Sequence, residues 1–355
     1  MATVTTAGAR RAGRDDYRAL VRRRRVLIGL LAAGLVATFL ADLALGPARY
    51  TVGEVVDALV RPAAADLQTA VVVWDIRLPV ALMAVLVGCA LSAAGAQMQT
   101  ILNNPLASPF TLGISAAASF GAALALVFGV KLLPFGLDYV VPLNAFIMAA
   151  AAAMMIHLLS RARGVTVETV VLLGIALVFT FNALLALLQY FASEQALAAV
   201  VFWTMGSLTK ATWPKLAITA AVVVATVPLL ARRAWALTAM RLGDDKAASF
   251  GVNVGRLRLE TMMLVSLLAA VPVAFVGTIG FIGLVGPHIA RMLIGEDQRF
   301  FLPASMLAGA LLLSASSVVS KMLVPGTIFP IGIITALIGV PFFISLVLSS
   351  RRRSW

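Results

Sequence analysis

Residues 22–45 read RRRRVLIGLLAAGLVATFLADLAL: four consecutive arginines, Arg22 to Arg25, abut an apolar run from Val26 to Leu45. A helix needs about twenty apolar residues to cross the hydrocarbon of a bilayer, and this run is that long. A cleaved secretion signal has a shorter apolar stretch and a small-residue cleavage site. The run therefore reads as a first transmembrane helix. The arginines read as the anchor that holds its start in the cytoplasm.

The rest of the chain continues in kind. Of 355 residues, 61% are hydrophobic and 12% charged, and the mean hydropathy is +1.01. A soluble domain is about half apolar and one quarter charged, so a soluble enzyme and a disordered chain are excluded. The apolar runs are continuous rather than alternating, which excludes a β-barrel. The fold class is an all-α polytopic membrane protein with about ten transmembrane helices, expected at 26–45, 78–102, 110–130, 139–159, 167–191, 214–231, 257–276, 278–295, 302–324 and 330–350. Residues 1–25 form a basic tail, 26–350 a single transmembrane domain and 351–355 a basic carboxyl-terminal tail. Ten spans put both termini on one side. The segments on that side, with the adjoining helix ends, hold 21 of the 28 Lys and Arg and 8 of the 15 Asp and Glu. The whole net charge of +13 thus lies on one face, which the positive-inside rule makes cytoplasmic. Basic charge so placed reports topology and anionic lipid, not nucleic acid. The stretch 46–77 reads as an irregular or short helical cap, and 192–213 as an amphipathic or re-entrant helix on the outer face.

What the spans lack narrows the function. The single cysteine, Cys89, excludes an internal disulfide. His157 and His288 have no metal-ligand spacing. No nucleophile–base pair is legible, so no catalytic residue and no metal site are assigned. Asp42, Asp75, Asp138, Glu168, Glu194, Glu260 and Asp297 all fall near span ends, so an ion-coupling carboxylate at mid-membrane is missing. His288 is the only plausible ion-coupling group within a span. There is no GxxxxGK[ST] phosphate loop. If transport is active, its energy comes from another chain. An ion-coupled secondary transporter, which would have to use His288, is the rival reading from another class.

Three stretches stand out. In the first, Arg77-Leu78-Pro79 opens a span that ends in Gln97-Met98-Gln99 and Asn103-Asn104-Pro105-Leu106-Ala107-Ser108-Pro109. Gln97, Gln99, Asn103, Asn104 and Pro105 either cap a tight helix–helix turn or line a polar pathway. In the second, Asp244 to Ser249 has the character of a short helix, with Arg241-Leu242-Gly243 before it and Phe250-Gly251-Val252 after it. Asp suits the positive start of a helix and Gly a left-handed stop. Such order exceeds what a mere connection needs, and reads as a knob for a cytoplasmic partner. The third is Gly277 to Arg291, GTIGFIGLVGPHIAR. Its glycines allow close helix approach, Pro287 interrupts the span, and His288 and Arg291 share a helical face.

Taken together, the segments RLPVALMAVLVGCALSAAGAQMQTILNNPLASPFTLGIS, MGSLTKATW, RLGDDKAASFGVNVGRLRL, GFIGLVGPHIARMLIG and LVPGTIFPIGIITALIGVPFF resemble the FecCD family of ABC-importer permeases. The resemblance covers about residues 50–350, in order. It implies a type II ABC-importer permease with ten helices, both termini cytoplasmic, in a bacterial plasma membrane. It implies a second permease subunit, identical or homologous. It further implies two ATP-binding cassette subunits, which carry ATP and magnesium, and an extracytoplasmic binding protein; the chain itself binds no cofactor and is not an enzyme. The coupling loop of the family falls on Arg241, Leu242, Gly243, Asp244, Ala247, Phe250, Gly251 and Val252. Pro287 and His288 join the first stretch as pathway or gate candidates. Arg49, Arg61 and Arg77 are candidates by location for docking the binding protein. The cargo implied is a ferric siderophore, with haem or cobalamin as the alternative.

Overall fold

The computed structural model describes residues 2–46, 50–61, 66–132, 137–163, 166–324 and 326–350. Among these the chain is helical, with short turns between helices. In order, α1 runs Ala2–Ala44, α2 Val52–Val60, α3 Leu67–Val71, α4 Leu78–Ile101, α5 Ile114–Phe128, α6 Leu137–Arg163, α7 Val167–Phe191 and α8 Glu194–Thr204. Then follow α9 Trp213–Arg232, α10 Ala234–Met240, α11 Asp244–Ser249, α12 Val254–Val276, α13 Ile282–Ile294, α14 Gln298–Met322 and α15 Ile331–Ser350.

Among the described residues, seven helical stretches are long and apolar enough to cross a membrane: α1, α3 continued into α4, α6, α7, α9, α12 and α14. Three shorter apolar helices, α5, α13 and α15, fall on the remaining three expected stretches. The differences lie at the joints. No proline or glycine separates Leu67 from Arg77, so α3 runs into α4 through a π turn at Val72–Arg77, in which Leu78 N–H donates to the Val73 carbonyl. The turn falls just before Pro79, whose ring lacks the N–H a regular ladder would use. The arginine-rich segment before Val26 continues the helix of α1 without a break. Within 192–213 the residues Glu194–Thr204 fold as α8, with the Ser193 hydroxyl accepting from Ala196 N–H, and a non-helical stretch leads on to α9.

The helix at the centre is α4. Its apolar window, with α3, is 78% buried, against 17% for α1 and 22% for α7. Lipid tails are as apolar as leucine, so apolar surface alone does not hold such helices together; close backbone approach does. Along one face of α4 the residues are small: Gly88, Ser92 and Gly95. A Cβ built on Gly88 would lie 2.5 Å from the Gly309 carbonyl of α14, and one on Gly95 would fall inside the Gly283 carbonyl of α13. Ser92 donates to the Ser305 carbonyl at 2.6 Å. Pro287 of α13 has no N–H to claim the carbonyl four residues back, which belongs to Gly283. That same carbonyl meets Gly95.

Gly95→Ala is expected to lower stability by about 3 kcal/mol, because backbone cannot move aside as a flexible side chain would. Gly29, which has nothing within 4 Å of a built Cβ, is the matched control: Gly29→Ala leaves stability unchanged or slightly raised. Thermal unfolding of both variants in the same detergent measures the difference.

Candidate coupling loop and cavity

The loop between α10 and α12 is built by local rules. Gly243, at φ +99°, makes the entry that a side chain disfavours. Asp244 and Asp245 occupy the first turn of α11. At the other end Val252 N–H donates to the Ala247 carbonyl at 3.2 Å and Gly251 N–H to the Ala248 carbonyl at 2.9 Å, with Gly251 left-handed. This is the Schellman pattern. Asn253 then caps α12 through Arg256 N–H at 3.0 Å. Ala247 is fully buried, whereas Leu242 and Phe250 are 55% and 54% exposed. The loop thus presents two apolar side chains on a rigid support.

Arg258 of α12, 2% exposed, fixes that support. Its Nη2 reaches both Asp244 carboxylate oxygens at 2.9 and 2.8 Å, and its Nε donates to the Ile101 carbonyl at the end of α4, 3.0 Å away. A second cluster lies beside it. Arg241 pairs with Glu296 through Nε at 3.1 Å and through Nη2. Arg291 Nε stands 3.0 Å from the same carboxylate, and Arg291 Nη2 donates to Gln99 Oε1 at 2.8 Å.

Gln97 and Gln99 are both fully buried. Gln97 donates to Gln298 Oε1 at 2.9 Å, and Gln298 to Thr100 Oγ1 at 2.7 Å. The two glutamines of the first motif therefore lock α4 to α13 and α14. Asn103 is exposed and left-handed at φ +44°, and Asn104 Oδ1 accepts from Leu106 N–H at 2.9 Å. With exposed Pro105 they form the turn at the same basic end of the bundle. Arg24 of α1 joins this end through Asp297 at 3.4 Å. Arg299 donates to the Asp297 carboxylate, and that hydrogen bond, with the Arg24 charge, holds the Asp297 acid below its ordinary range.

At the opposite end Arg77 is turned inward, 6% exposed, and donates to the carbonyls of Leu43 and Ala44 at 2.7 and 2.9 Å. It closes the last turn of α1 rather than presenting a free surface. Arg61 is exposed at the end of α2. Arg49 lies outside the described residues. Buried nearby, Lys321 pairs with Asp42 at 2.8 Å.

The third motif shapes a cavity of ≈ 620 Å³ that runs along α15. Its wall includes Phe110, Met205, Thr278, Phe281, Leu337 and Pro341. Residues Gly277 to Phe281 are not helical and cross the bundle here, with Phe281 left-handed at φ +67°. Non-helical backbone inside a membrane bundle is tolerated where it lines a cavity. Pro287 is buried one turn beyond, and His288 packs edge-on against Phe342 of α15 with centroids 5.6 Å apart. His288 faces the α13–α15 seam and is not part of the cavity wall.

Sequence reasoning missed Arg258, Glu296, Gln298 and the Asp42–Lys321 pair. Arg258 did leave a signal: it stands inside an expected span, where an arginine requires a partner. Replacing it with methionine leaves Asp244 without its cation and a buried carbonyl without its donor. The expected loss is about 3 kcal/mol, the low end for breaking a buried pair, because Asp244 keeps access to water. Chemical or thermal unfolding of Arg258→Met beside the parent protein reads this directly.

Comparison with known proteins agrees with this architecture. A family model described as the FecCD transport family matches residues 34–349. The hemin transport system permease protein HmuU of Yersinia pestis is 38% identical over 282 residues, covering 79% of this chain and 84% of the relative. The Fe(3+)-citrate import system permease protein YfmE of Bacillus subtilis is 33% identical over 333 residues, covering 94% and 98%. Other relatives carry the names of vitamin B12 and molybdate import permeases. A solved structure of an ABC transporter described as metal-chelate type, in an inward-facing conformation, superposes with TM-score 0.79 at 31% identity and covers 92% of this chain and 99% of that one. With its helical bundle, its apolar spans and these matches over nearly its whole length, the chain belongs to the FecCD transport family and is a multi-pass permease of an ABC importer.

Proposed function

We propose that the chain imports an iron chelate, a ferric siderophore, delivered by an extracytoplasmic binding protein and driven by ATP hydrolysed on a separate cassette subunit. The observation that carries the ATP-driven part is the loop at the basic end. It pairs two exposed apolar side chains, Leu242 and Phe250, with a buried arginine anchor. A solvated connection has no need of that anchor. An exposed apolar patch on a rigid mount fits a protein partner. With this end cytoplasmic, the loop sits where a cassette subunit would reach it.

The mechanism follows from what this chain supplies. The cassette subunit provides the chemistry of ATP and magnesium. Its closure pushes the loop, and α4 and α12 receive that movement through Arg258 and the Ile101 carbonyl. The cavity beside α15 is open along one side, with Leu337 65% exposed. A second permease subunit, identical or homologous, would complete it. Its wall of Phe, Met, Ile and Leu with two threonines offers a large cargo weak, non-directional contacts, from which release is easy. The iron-chelate assignment is supported by relatives named for haemin and ferric citrate.

The test is uptake into proteoliposomes that hold the permease, its cassette subunit and its binding protein. A ⁵⁵Fe-labelled catecholate siderophore is expected to accumulate with ATP inside and not without it, while haem, cobalamin and molybdate do not. Accumulation of one of those three instead would replace the cargo but keep the importer. Uptake driven by a proton or sodium gradient without ATP would overturn both. The double variant Leu242→Ala/Phe250→Ala is expected to weaken cassette binding at least about tenfold while stability stays within about 0.5 kcal/mol. Co-purification against thermal unfolding separates the two effects.

A further inference from the structure

We propose that Glu296 is the joint that carries movement of the α10–α11 loop to the cavity, with α13 as the lever between them; this rests on the importer reading above. Glu296 lies in the short link between α13 and α14. Its carboxylate holds Arg241 of the loop and Arg291 of the last turn of α13 at once. A displacement of Arg241 therefore reaches Arg291 through one shared anion.

The contrast with the neighbouring anchor shows why this pair is the movable one. Arg258 is almost fully buried and is tied to α4 and α12, two of the most buried helices. Separating it from Asp244 strands its charge in the interior. The arginines on Glu296 are less deeply buried, with side chains 16% and 15% exposed against 2% for Arg258, and the one carboxylate serves both. Breaking one contact leaves the anion with its other cation, so each can loosen and re-form at less cost than the Arg258–Asp244 pair.

The lever is defined by its ends. Gly277, at φ +76°, precedes α13 and Gly295, at φ +87°, follows it. Both conformations disfavour other residues and interrupt the helical backbone, so α13 is a separate rod between them. Between them, thirteen residues of helix span about 20 Å. Where α13 crosses α4, Gly283 meets Gly95 and Gly286 meets Ser92. Glycine and serine meet at that crossing, and the side-chain ties between the two helices are those of Gln99, to Arg291 and to the Leu284 carbonyl. The near end of the lever is Arg291. The far end is Phe281, which lines the cavity and rests directly on Gly339 of α15. Closely packed elements with few alternative arrangements transmit such displacements instead of absorbing them.

The test uses the full chain in nanodiscs with the cassette subunit that co-purifies with it. Cys89 is replaced by alanine, and a single cysteine is placed on the cavity wall as Leu337→Cys. The rate of labelling by a small polar maleimide is measured with and without ATP and vanadate. In this background the nucleotide is expected to change the rate about tenfold. With Glu296→Gln the change falls below about twofold, while the unfolding temperature and the bound cassette subunit are retained. Arg241→Gln and Arg291→Gln, which each remove one of the two cations that Glu296 joins, are expected to reduce the response in the same way. A Glu296→Gln variant that responds like the background overturns the joint. So does an Arg241→Gln or Arg291→Gln variant that responds like the background, since Glu296 then joins nothing. A background that binds no cassette subunit, or that ignores nucleotide, overturns the importer reading and the joint with it.

Discussion

The bundle depends on backbone meeting backbone along α4. In a bilayer, helices gain little from hiding apolar side chains from lipid, so contact area has to come from approach. Gly88, Ser92 and Gly95 provide it on the face turned to α13 and α14. Every other placement follows from that crossing. It sets the depth of Phe281, two residues before Gly283. It also brings the end of α4 beneath the loop, so that the Gln99 side chain accepts from Arg291 of α13, the Gln99 backbone carbonyl from Arg241 of the loop and the Ile101 carbonyl from Arg258 of α12. A proline in α13 is compatible with the contact because the carbonyl it leaves unbonded belongs to Gly283.

The two ends of the bundle use charge differently. At the basic end Arg241, Arg258 and Arg291 share Asp244 and Glu296, and the cluster stays partly open to water. At the opposite end Lys321 and Asp42 are paired in nearly complete burial, and Arg77 spends its guanidinium on the last carbonyls of α1. Buried pairs of the second kind contribute little net stability, and separating them is expensive. They fix α1 against α14 in one register. In the cluster at the basic end Glu296 can exchange between Arg241 and Arg291, while Arg258 holds Asp244 fixed. The end with the exchangeable charges is also the end with the exposed Leu242 and Phe250.

Much of this was legible in the sequence, for a physical reason. Span length, apolar periodicity and the capping residues of a short helix are local properties, and local rules place them. The apolar stretches, seven long enough to span and three shorter among the described residues, and the helix between Gly243 and Gly251 were found that way. The misjudged joints were governed by what is absent. No breaker stands between Leu67 and Arg77, so α4 begins a helix earlier than hydropathy shows, and α1 runs through its arginines because nothing stops it. The site was harder to read. Arg258 and Asp244 are 14 residues apart, Arg241 and Glu296 55, and Lys321 and Asp42 279. A one-dimensional pattern shows that a charge sits at a helix end, not which charge it faces. The same limit left Gln97 and Gln99 open between lining and lock until Gln298 and Arg291 stood beside them. It also placed Arg77 among surface candidates, although α1 claims it.

The most direct measurement is to solubilise this chain gently from its native membrane and determine by quantitative mass spectrometry what accompanies it. An ATP-binding cassette protein in equal amount, lost when Leu242 and Phe250 are both replaced, is the predicted result. A chain that emerges folded and alone would contradict the account.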